Sequence, residues 1–355
     1  MASAAPFRVA FLGIDHPHGS GWRESIFQLG GELEIAAIVP RFGGATTSLE
    51  ERIALLPRFE TLEELVRWRQ FDGAIVCLPN NESPQAIAAL AAAGKHIVAE
   101  KPAAASAADF APALAAVEKA GVAFQSGYLW RYDPCAERLR EMVADGRFGK
   151  LISVEMTFVT SDIRRRGPEH YLFNPALSGR GYFNWLGCHW LDLLSFITTQ
   201  KVSGVTARVG TFGNVETGLE DGGAAIFDLA GGGMATFVGR YWLPRWTGES
   251  HWTLRGSERW VHWHPGRADT GGVLEIHGPQ AQFMAMEEVF TQPPDPTPGY
   301  GGQRMPRLLR DWIADARSGS RHCRNTARQA MLTLELLDAI YRASAEGRHL
   351  DCAIG

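Results

Sequence analysis

Gly94-Lys95-His96-Ile97-Val98-Ala99-Glu100-Lys101-Pro102 is an apolar strand that runs into a Glu-Lys pair and stops at a proline. In an open α/β sheet, ligands bind at the carboxyl ends of the strands. A lysine delivered there by a rigid strand is placed for chemistry, because its compact ammonium can orient a substrate hydroxyl or shift its pKa on burial. The plainer reading is a surface ion pair at a strand end. The flanking sequence decides between the two.

Outward from that stretch the first third of the chain alternates strands and helices. Apolar strands are expected at 7–13, 32–39, 71–79, 96–100 and 122–127. Phe71-Asp72-Gly73-Ala74-Ile75-Val76-Cys77-Leu78-Pro79 is nearly continuous in apolar character, as a buried parallel strand should be. An Ala-rich helix runs from Pro84 to Ala93, with proline in its first turn. Another is capped by Ser106, runs through Lys119 and ends near Gly121. This alternation predicts right-handed crossovers and a doubly wound, parallel, Rossmann-type sheet.

Past residue 148 the texture changes. A strand is expected over 150–160, a helix over 186–198, and a series of short strands with Gly-rich turns over 202–277. The segment 291–302 is rich in Pro and Gly and reads as a loop. Helices over 305–316 and 325–346 close the chain. The expected organisation is a dinucleotide-binding domain at 1–126, then a substrate domain at 127–355 built on a large, mostly antiparallel sheet with helices.

Composition narrows the function. The 355 residues are 45% hydrophobic and 21% charged, with a formal net charge of -4. A length above 300 favours two domains over one core. The acidic balance makes nucleic acid a poor partner. No run suits a membrane span, and the N-terminus lacks the features of a signal peptide. Five scattered cysteines show neither metal spacing nor a disulfide framework, so a reducing cytoplasm is the expected setting.

The chain resembles the Gfo/Idh/MocA family of NAD(P)-dependent oxidoreductases. The resemblance is carried by Asp72 to Val76 leading into Leu78-Pro79-Asn80, and by Ala92 to Pro102. It continues in Arg131-Tyr132-Asp133-Pro134, in Gly181-Tyr182-Phe183-Asn184-Trp185-Leu186-Gly187-Cys188-His189-Trp190-Leu191-Asp192, in Glu220-Asp221, and in the last helix. The resemblance implies NAD or NADP as cofactor, held by Gly13, Asp15, His16, His18, Arg41, Leu78, Pro79, Asn80, Glu100 and Lys101. It implies Lys101, His189 and Asp192 as catalytic residues. Lys101, Arg131, Asn184, Trp185 and His189 would face a sugar-like substrate. It also implies a homo-oligomer, a dimer or tetramer joined through the C-terminal sheet.

Two departures stand out. The phosphate turn reads Gly13-Ile14-Asp15-His16-Pro17-His18-Gly19-Ser20-Gly21. Gly13 keeps the tight turn, but Asp15 stands where a glycine lets the backbone approach pyrophosphate, and its charge repels phosphate unless turned away. The third glycine is displaced to Gly19 or replaced by His18. His18 could contact phosphate beside a helix N-terminus. His16 and His18 are too few for a metal site, and no metal is expected.

The second departure is Trp185, which stands four residues before His189 where the family often has aspartate. His189 and Asp192 are three apart on a predicted helix and share a face, which suits a base and its orienting carboxylate, or simply a buried histidine in the core. Arg41, after the second strand, either meets a 2′-phosphate, giving a lean toward NADP, or lies solvated in a loop. The run Arg164-Arg165-Arg166 reads as a solvated loop, with an anion site as the alternative.

The expected activity is hydride transfer between a nicotinamide and a secondary alcohol of a sugar, cyclitol or sugar-derived acid. A non-catalytic sensor on the same fold is the alternative. So is a lyase or glycoside-cleaving enzyme that uses tightly bound nicotinamide.

Overall fold

Strands buried on both faces need neighbours on both sides, and the observed topology supplies them. The computed structural model describes residues 5–16, 19–43, 53–161, 163, 170–213, 217–244, 247–266, 271–279, 286–299 and 301–355. The chain forms two compact units. One comprises residues 1–132 and 296–331, the other 133–295 and 332–355.

The first unit is built on β1 (Phe7–Leu12), β2 (Leu33–Val39), β3 (Gly73–Val76), β4 (His96–Ala99) and β5 (Phe124–Ser126). They pair in the order β2-β1-β3-β4-β5, and every pairing is parallel. The connecting helices are α1 (Gly19–Gln28), α2 (Leu62–Trp68), α3 (Ser83–Ala92) and α4 (Ala107–Ala120). Thr61 closes a capping box with Glu64 at the start of α2, a helix the sequence reading does not include. Ser106 caps α4, and Gly121 ends it in a left-handed conformation, as expected.

The expected boundary at 126/127 needs correcting. The first unit runs on to Tyr132 and takes back residues 296–331. The reason is packing. The helix over Arg304–Ser318, one of the two closing helices, lays Met305, Leu308, Leu309, Trp312 and Ile313 into the same core as β1 and β3. Tyr132 is tied to this returning segment. Its carbonyl accepts from Arg307 Nη1 at 2.7 Å, and its hydroxyl accepts from Gln125 Nε2 at 2.6 Å. Burial of that much apolar surface outweighs proximity along the chain.

The second unit opens with α5 (Pro134–Ala144), capped by Asp133. Its sheet has nine strands: β6 (Leu151–Ser161), β7 (Val202–Gly210), β8 (Gly222–Leu229), β9 (Met234–Leu243), β10 (Gly248–Gly256), β11 (Trp260–Pro265), β12 (Gly272–His277), β13 (Met286–Gln292) and β14 (Leu350–Ile354). The order is β13-β12-β11-β10-β6-β9-β8-β7-β14, and only β6 and β9 pair in parallel. The helix α6 (Cys188–Thr198) packs against this sheet. Trp190 stacks on Phe158 with ring centroids 4.5 Å apart, and Trp252 and Trp263 continue the aromatic row across β10 and β11. These three tryptophans thus fill the core. The last two helices are α7 (Arg304–Ser318) and α8 (Ala327–Glu346). Among the described residues no helix is long and apolar enough to cross a membrane. No two of the five cysteines, all of them described, are joined in a disulfide.

Candidate functional site

Every expected site residue in the first unit follows the carboxyl end of a strand of the parallel sheet. After β1, Gly13 adopts φ +69°, and a side chain there would collide with the Cys77 carbonyl oxygen. Its N–H donates to Val39 O at 2.7 Å. Gly19 opens α1, and a Cβ on it would stand 2.5 Å from Ile14 O. Of the two positions weighed for the third fingerprint glycine, Gly19 meets the need for close approach. His18 lies outside the described residues.

Asp15 does not face its charge into the turn unsupported. It is 5% exposed, and its carboxylate accepts backbone N–H groups from Arg41 at 2.8 Å, Phe42 at 2.8 Å and Gly43 at 2.7 Å. Charge-assisted bonds of this kind are the strong ones. Asp15 therefore anchors the loop after β2. Beneath the turn, Arg23 is 4% exposed, donates to Ile14 O at 2.7 Å and interacts electrostatically with Asp15. Burial pushes the Arg23 guanidinium down from its ordinary value. Sequence reasoning missed Arg23, since nothing but its place on the first helix marks it. The His16 ring meets Phe42 edge-on, with centroids 5.0 Å apart.

Arg41 is engaged. Its guanidinium forms a two-pronged pair with Glu82, with Nε to Oε2 at 2.7 Å and Nη2 to Oε1 at 2.5 Å. Leu78, Pro79 and Asn80 form the loop between β3 and α3, and Asn80 is 8% exposed. After β4, Glu100 is 7% exposed and Lys101 1%. The plain reading of these two as a surface ion pair fails on burial alone. Trp22 Nε1 donates to Glu100 Oε2 at 2.6 Å, so α1 fixes the carboxylate next to Lys101. At the end of β5, Ser126 is fully buried, and among the described residues its hydroxyl oxygen has no hydrogen-bond partner. An orphan hydroxyl at this edge of the sheet, with the tight turn at Gly13, suits a dinucleotide ligand.

Arg131 is 4% exposed and donates to Arg324 O at 2.5 Å, while Arg324 Nη1 returns a bond to Arg131 O at 3.0 Å. This exchange ties the end of the first segment to the returning segment 296–331, which is structural work. The run at 164–166 lies outside the described residues.

In the second unit, the helix expected over 186–198 begins earlier and differently. Residues Phe183–Gly187 form a π-turn, and α6 continues from Cys188. Such turns concentrate at functional sites. Glu220 holds its start. One carboxylate oxygen accepts from Gly181 N at 2.8 Å, and the other from Phe183 N at 3.1 Å and from the Tyr341 hydroxyl at 2.5 Å. Burial pushes the Glu220 carboxyl up, against the pull of those donors, and it pushes the Tyr341 hydroxyl up as well.

On this turn Asn184 is fully buried, and among the described residues neither atom of its side-chain amide has a partner. Leaving such a group unsatisfied costs about 1–3 kcal/mol. Trp185 is 5% exposed and meets Tyr171 edge-on, with centroids 6.1 Å apart. On α6, His189 is 2% exposed and Asp192 1%. Asp192 Oδ1 accepts from Thr333 Oγ1 at 3.3 Å. Among the described residues no group of three or more His, Cys, Asp or Glu is arranged to hold a metal ion.

Comparison with known proteins agrees with this architecture. Residues 7–128 match the oxidoreductase family with an NAD-binding Rossmann fold, and residues 136–262 match the GFO/IDH/MocA C-terminal domain. D-xylose 1-dehydrogenase (NADP(+)) 2 of Haloferax volcanii is 28% identical over 44% of this chain and 47% of its own. Inositol 2-dehydrogenase of Rhizobium meliloti is 23% identical over 82% of this chain and 84% of its own. The chain spans about half the length of the first curated relatives it matches. Among solved structures, levoglucosan dehydrogenase in complex with NADH superposes with a TM-score of 0.85 at 16% identity, over 98% of this chain and 99% of its own. That likeness speaks for the fold. The two family matches, one on each half of the architecture, show that the chain belongs to the Gfo/Idh/MocA family.

Proposed function

We propose that the chain is an NAD(P)-dependent oxidoreductase acting on a secondary alcohol of a sugar, cyclitol or sugar-derived acid. The observation that carries this reading is Lys101, fully buried at the carboxyl end of β4 beside the anchored Glu100. A lysine buried just past the carboxyl end of a strand, at the ligand edge of a Rossmann-type sheet, is placed to meet a bound ligand. The names of the relatives, sugar and inositol dehydrogenases, point to the same substrate class.

A nicotinamide held in this site would supply the hydride acceptor or donor. The turn at Gly13 and the start of α1 supply backbone donors for the pyrophosphate. Leu78, Pro79, Asn80 and Glu100 line the cofactor. Lys101 donates a hydrogen bond to the reacting oxygen of the substrate and stabilises charge on it. His189 takes or gives the hydroxyl proton, with Asp192 supporting its charge. Asn184 offers its amide to a substrate hydroxyl, and Trp185 offers an apolar face to the sugar ring. A second copy against the outer face of the nine-stranded sheet belongs to the same reading. Ile226 and Met234 stand exposed on that face at 47% and 44%.

Trp185 in place of aspartate favours a second reading, a dinucleotide or sugar sensor without turnover. Calorimetric titration with millimolar NADH and NADPH tests the first requirement. Heat, or a raised melting temperature, with either one is expected. No response to both would overturn the oxidoreductase reading. Turnover of free cofactor with a polyol panel then separates enzyme from sensor, and also from a lyase that keeps its nicotinamide bound.

A further inference from the structure

We infer that Glu82 is a cofactor-selecting residue, and that it turns this chain toward NAD and away from NADP. The inference rests on the nicotinamide reading above and deepens it. Its starting point is the loop after β2, the part of a Rossmann-type fold that meets the adenosine ribose. In this chain the described start of that loop reads Pro40-Arg41-Phe42-Gly43, which holds no carboxylate.

The Asp15 carboxylate fixes the loop by taking three consecutive backbone N–H groups, those of Arg41, Phe42 and Gly43. With the backbone held, the Arg41 side chain has a restricted reach. It meets Glu82, at the N-terminal end of α3, in a two-pronged pair with bonds of 2.7 Å and 2.5 Å. A planar guanidinium recognises phosphate through the same fork that here holds a carboxylate. The Nε–Nη2 edge that holds Glu82 cannot hold a phosphate at the same time.

The surroundings reinforce the choice. A cavity of about 230 Å³ is lined by Leu12, Val39, Arg41 and Leu78, and by the carboxylates of Glu60, Glu63 and Glu82. A phosphate group, with its charge of roughly -1.5 to -2, would have to take that edge from Glu82 or settle for the Nη1 side of Arg41, next to a pocket whose lining includes Glu60, Glu63 and Glu82. A ribose with a free 2′-hydroxyl brings a donor instead, which a carboxylate accepts without displacing anything. The pair is half exposed, with side chains 45% and 33% accessible, so its contribution is modest.

The test is parallel calorimetry of the intact protein with NADH and NADPH, on the natural chain and on Glu82→Gln. NADH is expected to bind the natural chain about tenfold more tightly than NADPH, the scale of one charge-assisted contact reduced by exposure. Glu82→Gln frees Arg41 and removes one carboxylate. It should tighten NADPH about tenfold and leave NADH within about threefold. Arg41→Ala on the Glu82→Gln background should abolish that gain. A natural chain that prefers NADPH overturns the inference, as does a Glu82→Gln chain with an unchanged ratio. Either leaves the nicotinamide site itself standing. No binding of either dinucleotide overturns the inference together with the function it rests on. The preference of the natural chain is read without any variant, so the inference stays falsifiable if Glu82→Gln fails to fold.

Discussion

The phosphate turn at 13–19 and the π-turn at 183–187 both depart from the family's sequence pattern, and they absorb the departure in opposite ways. Asp15 replaces a glycine, and the protein surrounds its carboxylate with three backbone donors. Trp185 replaces an aspartate, and next to it Asn184 is buried with an amide that satisfies nothing among the described residues. A substitution whose polar groups are all paired has been built into the fold. A buried polar group left unpaired costs stability, and it persists where a ligand completes it. The first region is accordingly built into the architecture, and the second holds the buried polar group that a ligand would complete in the proposed site.

The largest break in this comparison should come from the catalytic groups. Lys101→Ala and His189→Ala should each leave dinucleotide affinity nearly intact and lower turnover by about 10²–10⁴-fold, the usual reach of acid–base assistance. Asp192→Asn should cost less, because it acts through His189. Steady-state kinetics alongside a binding titration checks this. Full activity in either alanine variant would remove that residue from the mechanism.

Next comes Asp15→Gly, which restores the family's fingerprint. If the comparison is right, the restoration harms the protein. Three backbone N–H groups lose a charged acceptor, at about 1–3 kcal/mol for each one left buried and unpaired. A fall in melting temperature of several degrees is expected, at about 2–4 °C per kcal/mol for a unit of this size. Tighter dinucleotide binding with no thermal penalty would show that Asp15 is not an anchor.

Asn184→Leu is the converse. Replacing an unsatisfied buried amide by an apolar group of similar volume should keep or raise the melting temperature. It should also weaken substrate binding by about two- to tenfold, the worth of one hydrogen bond. A large loss of stability would mean that the amide is satisfied and structural.

The smallest effect concerns pH and Glu220. Burial raises its carboxyl above the ordinary value near 4.5, while the unfolded chain keeps that value. As pH rises from about 4.5 toward the raised value, the unfolded state releases its proton first. The native state then binds more protons, and stability falls with pH across that window. Glu220→Gln removes the ionisation, so this component of the slope should vanish in thermal melts from pH 4.5 to 7. A slope unchanged in the variant would assign it to other groups.

Much of this was legible in the residues. The run at 71–79 and the strand before Glu100-Lys101 are nearly continuous in apolar character because both sheet faces are covered, and that pattern points to a parallel sheet. Ser106 and Gly121 mark the ends of α4 by local chemistry, and local chemistry does not depend on the rest of the fold. Lys101 and Glu100 drew notice because they follow a strand's carboxyl end, while His189 and Asp192 were picked out by the family resemblance and by their shared helix face.

What the sequence by itself determined, then, is the pattern of elements and the candidates for the reactive groups: the first follows from neighbours within a few residues, the second from those neighbours together with the family resemblance. Tertiary structure alone decided the partners. The return of 296–331 to the first unit depends on where Trp312 and Leu308 find apolar surface. The pairing of Arg41 with Glu82 spans 41 residues, the bonds from Asp15 to the next loop span 26 to 28, and Tyr341 reaches Glu220 across 121. No periodicity encodes such contacts. They arise when packing brings distant groups within about 3 Å, the distance at which a hydrogen bond exists at all.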